Sequence, residues 1–147
     1  MGAYSIERKL EIKAPPKKIW DAIKDVGSWP DWKPFITATA PPGGPFEKGA
    51  RFRMNIKVKG PALPVPVKII EMTPEKKVAW TGGLPGLARS VHTFIIEEEK
   101  GASVLTSKED FTGALVRLML LFVTPADLLK LHDDWLMAVR RKAEQPD

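Results

Sequence analysis

Residues 113–143 read GALVRLMLLFVTPADLLKLHDDWLMAVRRKA and contain the longest helical pattern in the chain. Apolar residues recur there at close to the 3.6-residue repeat of an α-helix, namely Leu121, Leu128, Leu131, Trp135 and Val139. The segment 124–127 interrupts this pattern with a threonine suited to a helix cap, a proline suited to the first helical position and an aspartate placed for capping. We therefore predict a short helix near 114–123 and a long helix near 125–143. Their apolar stripe requires a broad partner surface.

The preceding chain carries the alternating pattern of an antiparallel sheet. In residues 4–13 the apolar side chains fall on one face, and Arg8 falls on that same face. Two short helices should follow, one opened by Pro15 or Pro16 and one at 28–32. Further strands are predicted at 36–40, 50–59, 65–72, 78–82, 89–97 and 103–111. Pro66 should lie near the edge or start of its strand, and Gly101 should form the tight turn of the last hairpin. The glycine-rich residues 82–86 are interpreted as a mobile loop.

Composition narrows the class of protein. A chain of 147 residues predicts one domain, 1–147. It has no cysteine, which excludes disulfides and thiolate metal sites, and only two histidines, so we expect neither a metal nor a cofactor. The net charge of +5 is interpreted as a solvated surface, and we expect no nucleic-acid partner. The N-terminus lacks the pattern of a signal peptide, and the apolar run 114–123 is too short to span a bilayer, so we expect a cytoplasmic protein.

Several short motifs resemble those of one superfamily. The run Ile19-Trp20-Asp21-Ala22-Ile23 followed by Trp29-Pro30-Asp31-Trp32 resembles a signature of the START/polyketide-cyclase/birch-pollen-allergen (SRPBCC) superfamily. The segments 78–82 (VAWTG), 90–94 (SVHTF) and 109–113 (EDFTG) are similar to later strands of that superfamily, in the same order along the chain. The resemblance covers essentially the whole sequence.

The resemblance implies an α+β helix-grip fold, in which a seven-stranded curved antiparallel sheet encloses a cavity around a long C-terminal helix. Two short helices should follow the first strand. Members of the superfamily include lipid and hormone carriers, polyketide aromatases and cyclases, co-chaperone domains and quinone-handling proteins. The fold alone does not choose among these functions.

The candidate cavity wall consists mainly of apolar side chains, as in most small-molecule sites. The predicted wall residues are Phe35, Met54, Ile56, Val67, Trp80, His92, Phe94, Phe111, Leu121, Phe122, Leu128, Leu131 and Trp135. All of them are aliphatic or aromatic except His92. Spacing alone favours a closed core filled by these residues, whereas the resemblance favours a ligand-sized cavity. The tryptophans of 29–32 are expected either near the cavity mouth or as links between the short helices and the sheet.

Polar residues on the same face should orient a ligand. If the hairpin pairs Phe94 with Leu105, His92 and Glu109 become diagonal neighbours on the inner face. The superfamily order places the first strand beside the last, which could bring Arg8 to Glu109. An Arg–Glu–His group would anchor a carbonyl or carboxylate, and a structural ion pair at the rim is the alternative. His132, next to two aspartates, is assigned to a solvated helix face.

Three functions remain open. The favoured one is a binding or transport module for a hydrophobic or aromatic small molecule, such as a lipid, a polyketide or a quinone-like compound. The first alternative is a polyketide cyclase, aromatase or dehydratase in which His92 or Glu109 moves protons; we name no catalytic residue. The second is a protein- or membrane-docking module acting through 118–123, which is disfavoured because Arg117 is the only basic residue there. A monomer or homodimer is expected.

Overall fold

Alternating apolar and polar residues produce the strands, and two proline-initiated segments produce the first helices. The computed structural model describes residues 2–84 and 88–146. Its strands are β1 (Gly2–Ile12), β2 (Ile36–Ala40), β3 (Arg51–Ile56), β4 (Leu63–Thr73), β5 (Lys77–Leu84), β6 (Ala88–Glu99) and β7 (Ala102–Gly113). Its helices are α1 (Pro16–Lys24), α2 (Trp29–Trp32), α3 (Val116–Phe122) and α4 (Pro125–Ala143), with a 3-10 turn at Val26–Ser28.

The seven strands form one curved antiparallel sheet in the order β1-β7-β6-β5-β4-β3-β2. β1 therefore pairs with β7, and every other pair joins strands that are neighbours in the chain. Helix α4 packs against β1, β7 and α1. This architecture confirms the predicted helix-grip fold.

Helix α4 begins as its sequence predicts. The Asp127 backbone N–H donates to Thr124 Oγ1 at 3.2 Å, and the Thr124 backbone N–H donates to the Asp127 carboxylate at 2.9 Å. This capping box satisfies two backbone donors that a helix start otherwise leaves free. Three basic residues occupy the last turn, where positive charge favours the helix dipole. The buried side of α4 includes Leu128, Trp135 and Val139.

Strand β4 tolerates its prolines because half of it has a partner on one side only. Residues 63–67 pair with β3, and pairing with β5 begins at Lys68. Pro66 therefore lies in the singly paired part of the strand, as predicted. Strand β5 continues through Gly82 to Leu84, so the predicted loop 82–86 is partly strand, and its last two positions lie outside the described residues. Gly101, with φ of 83°, occupies the β6–β7 turn as predicted.

Helix α3 presents part of its apolar surface to solvent. Leu121 is 74% exposed and Phe122 is 68% exposed, so their predicted inward orientation is wrong. The helix packs instead through Val116, with Met119 and Leu120 partly buried beside it. Leu115 and Leu118 are also exposed, so apolar side chains along the whole length of this segment meet solvent. Among the described residues, no helix has the length and apolarity needed to cross a membrane.

Candidate functional site

A cavity of about 170 Å³, partly open to solvent, lies between the inner face of the sheet and helices α3 and α4. Strands β3 to β7 supply one wall, and α3, the α3–α4 connection and α4 supply the other. The lining residues are Met54, Ile56, Val58, Val65, Val67, Trp80, Gly82, Ser90, His92, Glu109, Phe111, Met119, Val123, Leu128, Leu131 and Trp135. A cavity of about 150 Å³ with apolar walls accommodates benzene, so this volume suits a single ring or a short branched chain.

Aromatic packing fixes the inner end of this cavity. Trp135 is 1% exposed, and its ring centroid lies 5.2 Å from that of Trp29 and 6.2 Å from that of Trp80. Trp29 is fully buried and also contacts Phe52 edge-on at 5.6 Å. Trp29 therefore links the short helix α2 to the sheet, which settles the two predicted locations for that side chain. The cluster gives the cavity a rigid floor, because each ring is held by several others.

A chain of hydrogen bonds runs from the cavity wall into the contact between sheet and helix. His132 Nε2 lies 2.9 Å from Glu109 Oε1, and His132 Nδ1 lies 2.8 Å from Ser107 Oγ. Ser107 Oγ in turn lies 2.8 Å from His92 Nε2. His132 and Ser107 are completely buried, and the side chain of Glu109 is 12% exposed. Four polar side chains in an apolar surrounding thus satisfy one another, which offsets the cost of burying them.

Burial and hydrogen bonding set the charges in this chain. Desolvation lowers the pKa of His92 to about 3, so its imidazole stays neutral in ordinary buffers. Burial alone would raise the pKa of Glu109, but the hydrogen bond from His132, the nearby imidazoles and a hydrogen bond from Ser90 together lower it. Glu109 is therefore a carboxylate at neutral pH. Within the described residues, no group of three or more potential ligands is placed to hold a metal ion.

The structure brings together most of the predicted site residues. Ten of them line the cavity: Met54, Ile56, Val67, Trp80, His92, Glu109, Phe111, Leu128, Leu131 and Trp135. Phe94 is buried behind His92, with which it stacks at 4.4 Å between ring centroids. Phe35 is packed against Trp135 and lines a separate cleft of about 410 Å³ beside α4. Leu121 and Phe122 lie outside the cavity, on the exposed part of α3.

Arg8 is the main correction to the predicted polar group. It does not reach Glu109; its guanidinium pairs with Asp133 at 2.8 Å, and its side chain is 46% exposed. The pair lies where β1 faces α4, so a carboxylate on the helix takes the arginine that the strand presents. The cavity consequently loses the cation that was expected to anchor a carbonyl or carboxylate.

The predicted hairpin register is also wrong, by two residues. Phe94 pairs with Ser107 rather than Leu105, and His92 lies directly opposite Glu109. Because a shift of two residues keeps every side chain on its original face, both groups still point to the interior. His132, predicted to be solvated, is instead the buried connection between Glu109 and Ser107.

Several site residues were not predicted from the sequence. They are Val58, Val65, Gly82, Ser90, Met119 and Val123 on the cavity wall, together with Ser107 and His132 in the polar chain. Strand alternation placed Val58 and Val65 on inner faces, so the periodic signal was available. Gly82 gave no such signal: a Cβ there would lie 3.1 Å from Ser90 Oγ, which shows a close approach that only the structure reveals.

Comparison with solved structures places this fold among known proteins. The Zhui aromatase/cyclase from Streptomyces sp. R1128 superposes with a TM-score of 0.81 at 16% identity, covering 97% of this chain and 94% of that one. A START superfamily protein from Mycobacterium smegmatis gives 0.76 at 13% identity, covering 98% and 99%. The di-domain aromatase/cyclase BexL gives 0.80 at 19% identity, and this chain spans 51% of its length. Identities this low establish a shared fold only.

Sequence comparison adds the family. No curated protein matches the sequence. Residues 3–144 match the family described as polyketide cyclase/dehydrase and lipid transport. This range includes the whole cavity wall, the polar chain and α4, so the protein belongs to the polyketide cyclase/dehydrase and lipid transport family within the SRPBCC superfamily.

Proposed function

We propose that the protein binds one small hydrophobic molecule, the size of a single aromatic ring, in the cavity between the sheet and α4. Family membership supports binding of a hydrophobic ligand in general. The observation that carries the more specific proposal is a largely apolar wall around about 170 Å³ in which the described ionisable and hydroxyl side chains, His92, Ser90 and Glu109, lie together. Apolar enclosure supplies affinity and a few convergent polar groups supply orientation in such sites.

The volume also bears on the class of ligand. A long lipid chain requires considerably more space, because pockets for drug-sized ligands measure roughly 300–1,000 Å³. Among the lipid, polyketide and quinone-like ligands predicted from the sequence, the cavity favours a ring-sized compound of the aromatic class. A monomeric or homodimeric state and a cytoplasmic location remain part of the proposal, to be tested by analytical ultracentrifugation and by cell fractionation.

Filling the cavity should abolish binding without unfolding the protein. Ile56 lines the cavity and is only partly buried, so the larger side chain of Ile56→Trp should fill part of the cavity with little disturbance of the core. We expect the Kd of an alkylphenol or an apolar fluorescent dye to rise at least about tenfold, because the added ring occupies the ligand's space. Titration calorimetry measures this change.

A matched control is Ile95→Trp, which alters a partly exposed isoleucine between two buried residues of β6. Strand alternation places Ile95 on the outer face. The control should bind as the wild type does. Equal affinity in Ile56→Trp, with its circular dichroism unchanged, would show that the ligand binds elsewhere, and the exposed face of α3 would be the next surface to test.

The polar chain favours one second candidate, a cyclase- or dehydratase-like enzyme. Two imidazoles, a hydroxyl and a carboxylate are joined in sequence from Glu109 to His92. Such a chain can move a proton between His92 and Glu109, which both line the cavity. The two candidates differ in one observable: a carrier returns its bound compound unchanged, whereas an enzyme converts it to a product of different mass or isomeric form. Chromatography with mass spectrometry on long incubations distinguishes them.

A further inference from the structure

The cavity wall carries one negative charge and no positive charge. Glu109 is the only carboxylate among the described lining residues, and none of them is a lysine or an arginine. Arg8 is held on the surface by Asp133. Lys33, a buried lysine, lies against the Trp135 ring and does not line the cavity. An anionic ligand would therefore meet a carboxylate with no lysine or arginine on the cavity wall to balance it.

The hydrogen-bond chain has a definite direction when His132 is neutral. The Glu109 carboxylate only accepts, so His132 Nε2 carries the proton and donates to it. His132 Nδ1 then has a lone pair and accepts a hydrogen bond from the Ser107 hydroxyl. Because the single hydroxyl hydrogen of Ser107 is used in that bond, Ser107 Oγ accepts a hydrogen bond from His92 Nε2. The proton of the neutral His92 is thereby placed on Nε2.

His92, whose ring lines the cavity, consequently keeps one nitrogen free to accept a hydrogen bond. Its Nδ1 has no proton in this arrangement, and no hydrogen bond to that atom occurs among the described residues. Glu109 adds a second acceptor at the same place, since a carboxylate has about four lone-pair positions and His132 and Ser90 use two of them. The charged group and the neutral ring thus present the same hydrogen-bonding character. A ligand group that meets both must donate.

We propose, on the basis of the binding function above, that the cavity selects ligands ending in a neutral hydrogen-bond donor, a phenolic or alcoholic hydroxyl, and rejects carboxylates. The hydroxyl donates to His92 Nδ1 or to Glu109, and the apolar body of the ligand lies against Trp80, Phe111 and Leu128. The buried carboxylate excludes carboxylate ligands because two like charges in an apolar cavity repel strongly.

A matched series of ligands tests this selection. Calorimetry at pH 7 should use 4-ethylphenol, 4-ethylanisole and 4-ethylbenzoate, which share a body and differ in donating, accepting or carrying a negative charge. We expect 4-ethylphenol to bind at least tenfold more tightly than 4-ethylanisole, and 4-ethylbenzoate to bind most weakly. Phenols keep their proton at this pH, because their pKa is near 10.

Two variants connect the selection to Glu109. Glu109→Gln removes the charge and adds an N–H donor, so the preference for the phenol should fall at least tenfold relative to 4-ethylbenzoate. Asp110→Asn is the matched control, because it removes one negative charge from the next residue of β7, where Ser5 bonds to it outside the cavity. The control should keep the wild-type order of affinities.

The possible outcomes separate this inference from the binding function. Binding in which 4-ethylanisole or 4-ethylbenzoate equals or exceeds 4-ethylphenol overturns the selection and leaves the binding function standing. Failure of all three to bind contradicts the binding function itself. The tautomer of His92 is an independent test of the inference. Nitrogen-15 NMR of the unliganded protein should show the His92 proton on Nε2. A proton on Nδ1, which a cationic His132 would produce, overturns it.

Discussion

Replacing Trp135 by alanine should lower the free energy of unfolding by roughly 3–5 kcal/mol. The side chain is 1% exposed and packs against the rings of Trp29, Phe35, Trp80 and Phe94. Its removal costs the transfer energy of a large buried side chain and enlarges the existing cavity, because the surrounding rings are too firmly held to collapse into the space. Urea denaturation monitored by circular dichroism measures the loss.

The matched comparison is Leu121→Ala, a truncation on the exposed part of α3, which should change stability by no more than about 0.5 kcal/mol. A loss below about 1 kcal/mol for Trp135→Ala would contradict the account of the core. It would mean that α4 does not cover the sheet through its Leu128–Trp135–Val139 side.

Replacing Lys33 by methionine should stabilise the protein by about 1–3 kcal/mol at pH 7, although the change removes a charged residue type. Lys33 is completely buried. Among the buried side-chain nitrogen and oxygen atoms of the described residues, only its Nζ has no hydrogen-bond partner. The amine lies 3.5 Å from the ring centroid of Trp135 and 3.9 Å from that of Trp29. Methionine fills similar space without a polar atom that must leave water.

The same substitution should change how stability depends on pH. Burial lowers the pKa of Lys33 well below its ordinary value of 10.5. Between the folded and unfolded pKa values, the unfolded chain binds a proton that the folded chain does not. Wild-type stability should therefore rise with pH in that window, by about 1.4 kcal/mol per pH unit, and level off above the unfolded pKa. The advantage of Lys33→Met should accordingly shrink as the pH rises through that window.

Urea denaturation at several pH values checks both statements, with Lys48→Met, at an exposed lysine, as the control that should show neither effect. The opposite result has a clear physical meaning. If Lys33→Met is less stable than the wild type and its difference does not vary with pH, the tryptophan rings hold Lys33 as an ammonium ion through cation–π contacts.

Much of this fold could be predicted because local chemistry and global packing agree. The capping box at Thr124 and Asp127 marked the start of α4, and alternation marked the strands to within a few residues. Pro66 was correctly placed at a weakly paired part of its strand, since a residue without an N–H cannot serve a strand that bonds on both sides. The order of the motifs along the chain then indicated the family.

The candidate site was harder to predict, for reasons that particular residues show. Alternation assigns a face but not a register, so the two-residue shift between β6 and β7 left no trace in the pattern. The sequence did not show whether the carboxylate that pairs with Arg8 lies on a strand or on a helix. In the structure, Asp133 of α4 supplies it. His132 lies four residues after Leu128 and three before Trp135, so helical periodicity pointed to its burial, while the adjacent aspartates suggested solvent.

A crystal structure of the protein grown with saturating 4-ethylphenol would test whether the space between the sheet and α4 is a binding site. We expect the ring to occupy the cavity beside Trp80, Phe111 and Leu128, with its hydroxyl within hydrogen-bond distance of His92 Nδ1 or Glu109. An empty cavity, or a ring bound only at Leu121 and Phe122 on the outside of α3, would contradict this account.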